Sequence, residues 1–322
     1  MAAGKMGSVL GIILLCFGTS AWSQAYPSRA VHVVVPFAVG GPADLYGRFI
    51  GARLSEALGQ PFVIENRPGA GAVLGTDAVA KSTPDGHTLL VMSNTHTVNE
   101  TLIPKKPYDL MRDLAPISGI NYSDLLLVVH PSVPANNLRE FIALAKSKPK
   151  ALNYASSGPG TPYHMAGELF KYMAGVDIEH VPYKGSDGAR TGILGGQVQM
   201  MFDAITTMAA HGRAGRVKVL ASSGKSRSAI TPDVPTVAEA GVPGYEAVIW
   251  LGLMAPAGTP RPVLDRLSSE VVKIVNAADV KENWTRQGAV PMGMTPDQFD
   301  KFVRDDIQKW SKLVKDTGMK VD

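Results

Sequence analysis

Short apolar runs alternate with longer amphipathic stretches along this chain, and the same alternation occurs twice. In the first half the runs and stretches are, in order, residues 31–37, 43–58, 62–64, 72–81 and 87–92. In the second half they are residues 152–155, 163–174, 178–181, 187–194 and 198–202. Glycine turns separate them at matching places, and Gly59 and Gly69 have the same ten-residue spacing as Gly175 and Gly185. Each half is therefore predicted to fold as strand, glycine turn, helix, strand, helix, strand.

The apolar runs are rich in Val, Ile and Leu, which favours parallel strands buried on both faces and joined by right-handed βαβ crossovers. We predict an α/β protein of two lobes, each a mainly parallel sheet flanked by helices. The Pro-rich segment 103–134 and the segment 231–255 are where we expect the chain to cross between the lobes. The remaining C-terminal residues look helical over 263–276 and 297–316 and are expected to return to the first lobe.

These crossings define the predicted domain boundaries. Lobe 1 takes residues 26–123 and 247–322, and lobe 2 takes residues 124–246. Two lobes that are joined by two hinge crossovers can close over a cleft between them.

Residues 1–25 have the pattern of a secretory signal peptide. Lys5 is their only charge, an apolar run covers residues 9–17, and the exit Ser23-Gln24-Ala25 is of the small-x-small type. A membrane anchor is disfavoured because a bilayer span needs about 20 apolar residues. A lipoprotein is disfavoured because Leu15 precedes Cys16, where lipid attachment needs a small residue. Cleavage after Ala25 would leave an exported, soluble chain without any cysteine, and so without disulfides or a Cys nucleophile.

Composition and charge indicate a large apolar core and argue against nucleic acid as a partner. With 45% hydrophobic residues, the exported chain can build a core large enough to replace disulfides. The formal charge is +4 at pH 7, and the basic residues are scattered without a basic run interleaved with aromatics. That distribution is a poor fit to nucleic acid. The small positive excess is either an ordinary solvated surface or a mild attraction for anionic solutes.

The glycine turns that precede the first helix of each half carry the candidate chemistry. Ligands of open parallel sheets bind beyond the carboxyl ends of the strands, where helix N-termini offer unpaired N–H groups and a partial positive charge. Gly40 and Gly41 allow close backbone approach and Pro42 suits the first helical position. Thr161 and Pro162 repeat that arrangement, with Thr161 as the N-cap residue. A single such loop is more often an ordinary tight turn, whereas two at equivalent positions point to a small anion.

Side chains near these turns make a singly charged carboxylate a better fit than a phosphate. Asp44 in the first turn of the first helix would repel a phosphate. Tyr46 could cover the ligand or pack in the core, and Asp203 could accept a hydrogen bond from a ligand or cap a loop. Ser93, Asn94 and Thr95 follow a strand and point to the same rim. His96 and His164 are more often satisfied structural histidines than ligands or bases.

Catalytic motifs are missing from the sequence. It has no G-x-S-x-G, no H-E-x-x-H, no Cys/His pair and no dinucleotide fingerprint with its ribose-binding acid. We therefore expect no enzyme, no cofactor and no metal site. An enzyme on a related two-lobed α/β fold remains the alternative, and so does a ligand-sensing partner of a membrane sensor kinase.

Several segments together resemble one family over nearly the whole mature chain: VVVPF (33–37), GGPAD (40–44), VIENRPGAG (63–71), PDGHTL (84–89), GPGTPYH (158–164), VPYKG (181–185) and PAGTP (256–260). They resemble the Bug family, the TctC-like periplasmic solute receptors of bacterial tripartite tricarboxylate transporters. The resemblance implies a type II periplasmic-binding-protein fold and a carboxylate held largely by backbone amides of the two helix-start loops, with bridging water. It also implies delivery to membrane permease subunits. One departure is Val39, which stands where the family usually has proline, and which would loosen the turn or widen the pocket.

The hypothesis is thus a monomeric periplasmic receptor for a small carboxylate, and both dicarboxylates and aromatic acids stay among the candidate ligands. The expected ligand-binding residues are Val39, Gly40, Gly41, Ala43, Asp44, Tyr46, Ser93, Asn94, Thr95, Ser157, Gly158, Gly160, Thr161, His164 and Asp203.

Overall fold

The computed structural model describes Met1 and residues 26–320, so the predicted signal peptide falls, apart from Met1, outside the described residues. No helix within the described part combines the length and the apolar character needed to cross a bilayer.

Both halves fold as the predicted repeat. The first half contains β1 (Val31–Val35), α1 (Pro42–Leu58), β2 (Phe62–Asn66), α2 (Val73–Ala80) and β3 (Thr88–Ser93). The second contains β5 (Asn153–Ser156), α6 (Pro162–Ala174), β6 (Glu179–Pro182), α7 (Ser186–Leu194) and β7 (Met200–Ala204). Glycines end α1 and α6 because Gly59 and Gly175 adopt left-handed backbone angles, with φ of 71° and 62°.

The remaining elements connect and cover these two units. Between the units lie α3 (Asn94–Leu102), α4 (Leu110–Asp113), β4 (Leu114–Val129) and α5 (Leu138–Ser147). After the second unit come α8 (Ile205–Arg213), β8 (Lys218–Ser222), β9 (Val248–Pro256), α9 (Arg261–Asn276), α10 (Ala278–Gln287), β10 (Ala289–Pro291) and α11 (Pro296–Thr317).

The strands form one curled mixed sheet in the order β2-β1-β3-β9-β4-β7-β5-β6, with β8 and β10 also paired to β4. Within each repeat the three strands are parallel, as predicted. Strands β9 and β4 run antiparallel to their neighbours and join the two parallel halves. The core strands are buried on both faces: Val33 of β1 belongs to one apolar cluster and its neighbour Val34 to another.

The Pro-rich segment 103–134 contains a long strand rather than a simple crossing loop. Residues 114–124 of β4 pair with β9, and residues 125–129 pair with β7 and β8. A single strand thus carries the chain from the part of the sheet that contains the first repeat to the part that contains the second. Two register shifts, at Pro116/Ser118 and Gly119/Asn121, interrupt the ladder near the proline that lacks an N–H. The predicted lobe boundary at residue 124 coincides with this change of partners and remains a proposal.

The C-terminal helices contribute to apolar clusters of both repeats. The helix α9 packs against α1 and β4, whereas Trp310, Leu313 and Val314 near the end of α11 join the cluster of the second repeat. The architecture is the two-lobed α/β fold that the sequence pattern predicts.

Candidate functional site

A cavity of about 500 Å³ lies between the two repeats. One wall comes from residues 36–38, 41–43 and 68–72 of the first repeat, with Ser93 at the end of β3. The opposite wall comes from residues 157–159, 161–163 and 183–186 of the second repeat. These segments are the turns that precede α1, α2, α6 and α7. The cavity is therefore bordered by the N-termini of four helices, two from each repeat.

Backbone donors are available on both walls. The N–H groups of Gly41, Ala43 and Tyr163 make no hydrogen bond within residues 26–320. Pro42 and Pro162 occupy the first position of their helices and have no N–H to offer. Unpaired amides and the positive ends of helix dipoles favour a small anion.

Tyr163 lines the second wall and has a buried hydroxyl. Its hydroxyl is buried next to Asp203 and Ser186 without meeting the geometry of a hydrogen bond to either. Burial, and then the negative charge of Asp203, raise the pKa of Tyr163 well above its usual value, so the side chain keeps its proton and can donate. Lys184, an exposed residue, is the one basic side chain among the residues described as lining the cavity.

The two repeats approach each other closely beside the cavity. A Cβ atom added to Gly40 would lie 2.7 Å from Oδ2 of Asp187, and one added to Gly185 would lie 3.3 Å from Cβ of Ala38. Gly40 has a φ of +87° and Gly185 a φ of +108°. Glycine at these two positions therefore permits both the backbone angle and the close approach of the two repeats.

The predicted site residues divide into two groups. Gly41, Ala43, Ser93, Ser157, Gly158 and Thr161 line the cavity. The residues that do not line it are Val39, Gly40, Asp44, Tyr46, Asn94, Thr95, Gly160, His164 and Asp203. Val39 is 63% exposed, so having valine here, where the family usually has proline, does not widen the cavity.

Two of the residues that do not line the cavity have structural roles near the start of α1. Asp44 accepts a hydrogen bond from the Gly40 N–H at 3.1 Å and pairs with Arg48 at 2.9 Å. Burial opposes its ionisation, but the bonds from Gly40 and Arg48 outweigh that effect and lower the pKa of Asp44. Tyr46 packs edge-to-face on Trp284 with ring centroids 5.1 Å apart. Of the two predicted roles for Tyr46, the structure thus shows packing in the core and not contact with the cavity.

The residues after β3 start a helix. The Ser93 hydroxyl accepts from the Thr95 N–H at 3.2 Å and thereby caps α3. Asn94 donates to the Val248 carbonyl at 2.9 Å, and Thr95 is buried. His96 accepts from the Ser93 N–H, and burial lowers its pKa to about 4. Only Ser93 of this group reaches the cavity.

Thr161 stands at the predicted N-cap position, but its hydroxyl does not cap the helix. It donates to the Gly158 carbonyl at 2.6 Å, and no side-chain capping bond to α6 forms. The expected capping role of the Thr161 side chain is therefore wrong: the hydroxyl closes the turn 158–161 instead.

Asp203 is fully buried and bound to the protein. Its carboxylate lies 2.9 Å from Nε of Arg190 and accepts from the Ala204 N–H at 2.8 Å. Arg190 also contacts Asp187 at 2.8 Å, so one guanidinium connects the buried carboxylate to the exposed carboxylate at the start of α7. Burial raises the pKa of Asp203 although Arg190 opposes that shift.

Sequence reasoning left the loops 68–72 and 183–186 out of the site. The signal was present, because each of these loops runs from the second strand of a repeat to a helix start, just as the two predicted loops run from the first strand to a helix start. Applying the same strand-to-helix rule to all four turns would have found them. No group of three or more His, Cys, Asp or Glu side chains suited to a metal ion occurs within the described residues.

The comparisons define the class of this protein. The family model for the tripartite tricarboxylate transporter family receptor, TctC, matches residues 47–319. The chain therefore belongs to this family of solute receptors, and the resemblance seen in its motifs is confirmed. Its fold is the two-lobed type II periplasmic-binding-protein fold.

Particular relatives are similar over nearly their whole length. The protein BugT of Bordetella pertussis is 37% identical over 321 residues, which covers 98% of either chain. An R. palustris protein solved with adipate superposes with a TM-score of 0.87 at 35% identity, covering 91% of this chain and 98% of that one. MatC from Rhodopseudomonas palustris, solved with bound malate, has a TM-score of 0.84 at 36% identity, covering 90% of this chain and 100% of that one.

Proposed function

We propose that this protein is a periplasmic receptor that binds a small carboxylate in the cavity between the two repeats and delivers it to a tripartite tricarboxylate-type transporter. The observation that carries the proposal is the convergence of four helix N-termini on one cavity of about 500 Å³. That volume is in the range of small-molecule sites, about 300–1,000 Å³. Family membership and the acids bound by two relatives support the choice of ligand class.

A carboxylate suits each wall better than a larger or neutral group. It carries the negative charge that the helix termini favour, and it has two oxygens for the free amides of Gly41 and Ala43 on one wall or of Tyr163 on the other. Because donors lie on both walls, a dicarboxylate can bridge them and so hold the two repeats together. In the proposed mechanism the ligand stabilises the closed arrangement, since only that arrangement offers both walls at once.

The first experiment is a ligand screen by calorimetry on the mature chain, residues 26–322. Malate and adipate are the probes, and the diamide of adipic acid is the uncharged control. We expect malate or adipate to bind at one-to-one stoichiometry and the diamide not to bind. Recovery of the acid unchanged, checked by proton NMR, distinguishes a receptor from an enzyme. Equal binding of acid and diamide would contradict an anion site.

A matched pair of variants tests the place of the site. Gly41 lines the cavity with an extended backbone, φ −81° and ψ 169°, so Gly41→Val fits without backbone strain but its side chain blocks the approach to the amides. The control is Val39→Ala, two residues away and off the cavity. Affinity should fall more than tenfold, about 1.4 kcal/mol, in the first variant and stay unchanged in the second. Normal binding by folded Gly41→Val would place the ligand elsewhere.

Export, the soluble monomeric state and the permease partner belong to the same proposal. Cell fractionation with N-terminal sequencing should find the protein in the periplasm beginning at Tyr26, and sedimentation should give the mass of one chain. Deletion of a permease gene should abolish uptake of the acid while purified receptor still binds it. A mature protein that retains residues 1–25 would contradict the predicted signal peptide.

A further inference from the structure

Two histidines stand behind the loop that supplies the second wall. Gly160 donates its N–H to Nδ1 of His164 at 3.1 Å, and Gly158 donates its N–H to the Ser156 hydroxyl at 3.1 Å. That hydroxyl in turn lies 2.6 Å from Nε2 of His180. Neither imidazole lines the cavity, whereas Ser157, Gly158 and Pro159 of the loop do. Each end of the loop is thus held, directly or through one hydroxyl, by one imidazole.

The two imidazoles are stacked, with centroids 4.1 Å apart and planes 24° apart, and Tyr154 also stacks on His180 with centroids 4.8 Å apart. The loop that they hold has unusual backbone angles, with φ of +126° at Gly158 and +72° at Gly160. Such angles are available to glycine but are not enforced by it, since glycine also populates many others. Specific acceptors are therefore needed to select this loop conformation.

The geometry also fixes the charge state. A nitrogen that accepts from the Gly160 N–H must be unprotonated, so His164 is neutral with its proton on Nε2. Two imidazolium rings at stacking distance would repel each other, so His180 and His164 cannot both be charged. The charged groups that face the pair are Glu168 and Lys171 of α6, which pair with each other at 2.7 Å. Burial and then Lys171 lower the pKa of His164 to about 4, and burial and then His164 lower that of His180 to about 3.

We propose that His164 and His180 are positioning residues for the carboxylate: as a stacked neutral pair they hold residues 156–160 in the conformation that presents this loop to the ligand. They act on affinity without touching the ligand. The inference rests on the proposed function, because the loop is one wall of the proposed anion site. It assigns to both histidines a role that depends on a hydrogen-bond acceptor at Nδ1 of His164 and a polar atom at Nε2 of His180.

Conservative and disruptive variants separate this role from simple packing. His164→Asn places a side-chain oxygen close to the position of Nδ1, and His164→Leu fills similar space without an acceptor. His180→Gln keeps a polar side-chain atom near the position of Nε2, and His180→Leu does not. With malate and adipate as probes at pH 7, we expect each Leu variant to lose at least tenfold in affinity. The Asn and Gln variants should stay within threefold of the wild type. Equal losses in the paired variants, or unchanged affinity in the Leu variants, would overturn the proposal.

A second measurement needs neither a ligand nor a variant. Nitrogen NMR of the imidazoles in the wild type should show His164 neutral with its proton on Nε2 at pH 7 and still neutral at pH 5.5. The Gly160 amide should exchange slowly with solvent. A protonated His164 at pH 5.5, or a freely exchanging Gly160 amide, would overturn the inference even if the Leu variants fail to fold. If the wild type binds neither acid, the proposed function fails while these NMR results still decide whether the histidines hold the loop.

Discussion

Substitution of Gly40 by alanine tests the contact between the two walls. In the structure a Cβ on Gly40 would approach Oδ2 of Asp187 to 2.7 Å, closer than non-bonded carbon and oxygen atoms allow. Gly40 also has a φ of +87°, which alanine adopts only at a cost of roughly 1–2 kcal/mol. The first effect exists only while the walls are in contact, whereas the second exists in every folded conformation. Gly40→Ala should therefore lower both the affinity and the stability, for different reasons.

The size of the affinity loss follows from what holds Asp187. Its carboxylate pairs with Arg190 at 2.8 Å and is 66% exposed, so displacing it disrupts an ion pair worth at most about 1 kcal/mol. The expected loss in affinity for malate or adipate is up to about fivefold. The backbone strain should lower the melting temperature by about 2–4 °C, at about 2 °C per kcal/mol for a chain of this size.

A double-mutant cycle separates the two effects. Asp187→Ala removes the carboxylate that meets the new methyl group, so Gly40→Ala should no longer weaken binding in the Asp187→Ala background. The loss in melting temperature should persist there, because the strain is local to residue 40. Isothermal titration calorimetry gives the affinities, and differential scanning calorimetry gives the melting temperatures. An affinity loss of the same size in both backgrounds would refute the wall contact as its cause.

Three further predictions concern residues whose placement differs from, or extends, the sequence hypothesis. Thr161→Val removes the bond to the Gly158 carbonyl and should cost about 1 kcal/mol in the free energy of unfolding, measured with urea, whereas Thr161→Ser keeps the hydroxyl and should cost less; equal costs would contradict this role. Tyr46→Ala should cost about 3–5 kcal/mol, as for other large buried aromatics, and leave the affinity of the folded fraction unchanged because the ring packs on Trp284. A selective loss of ring-bearing ligands would instead return Tyr46 to the site. Asp306 accepts from Thr97 and Trp310, and burial raises its pKa to about 6, above its unfolded value. Its carboxyl therefore stabilises the fold most when protonated, below about pH 4, and this contribution is lost as the pH rises through about 6. Relative to Asp306→Asn, the wild type should gain stability between pH 6.5 and pH 4.5 in urea unfolding, and a difference independent of pH would refute the buried titration.

The amino-acid sequence by itself determines the repeated unit and most of its boundaries. Helices α1 and α6 begin at a proline and end before a glycine because these signals act within one or two residues of the helix end. The alternation of apolar runs likewise reports strands buried on both faces. The family follows from the motifs in the turns, since those segments are contiguous in sequence.

Contacts between distant residues were decided only by the tertiary structure. The strand β4 continues through the predicted crossing because β9 pairs with its first part and β7 with its last, and both partners come from far along the chain. Tyr46 packs on Trp284 and Asp203 pairs with Arg190, and no local sequence pattern indicates either contact. The same holds for the cavity: sequence could nominate single helix-start turns, but only packing of the two repeats brings four of them to one place and sets His164 and His180 behind one of them. Periodicity records which face of an element is buried, whereas the partner on that face depends on how the whole chain closes.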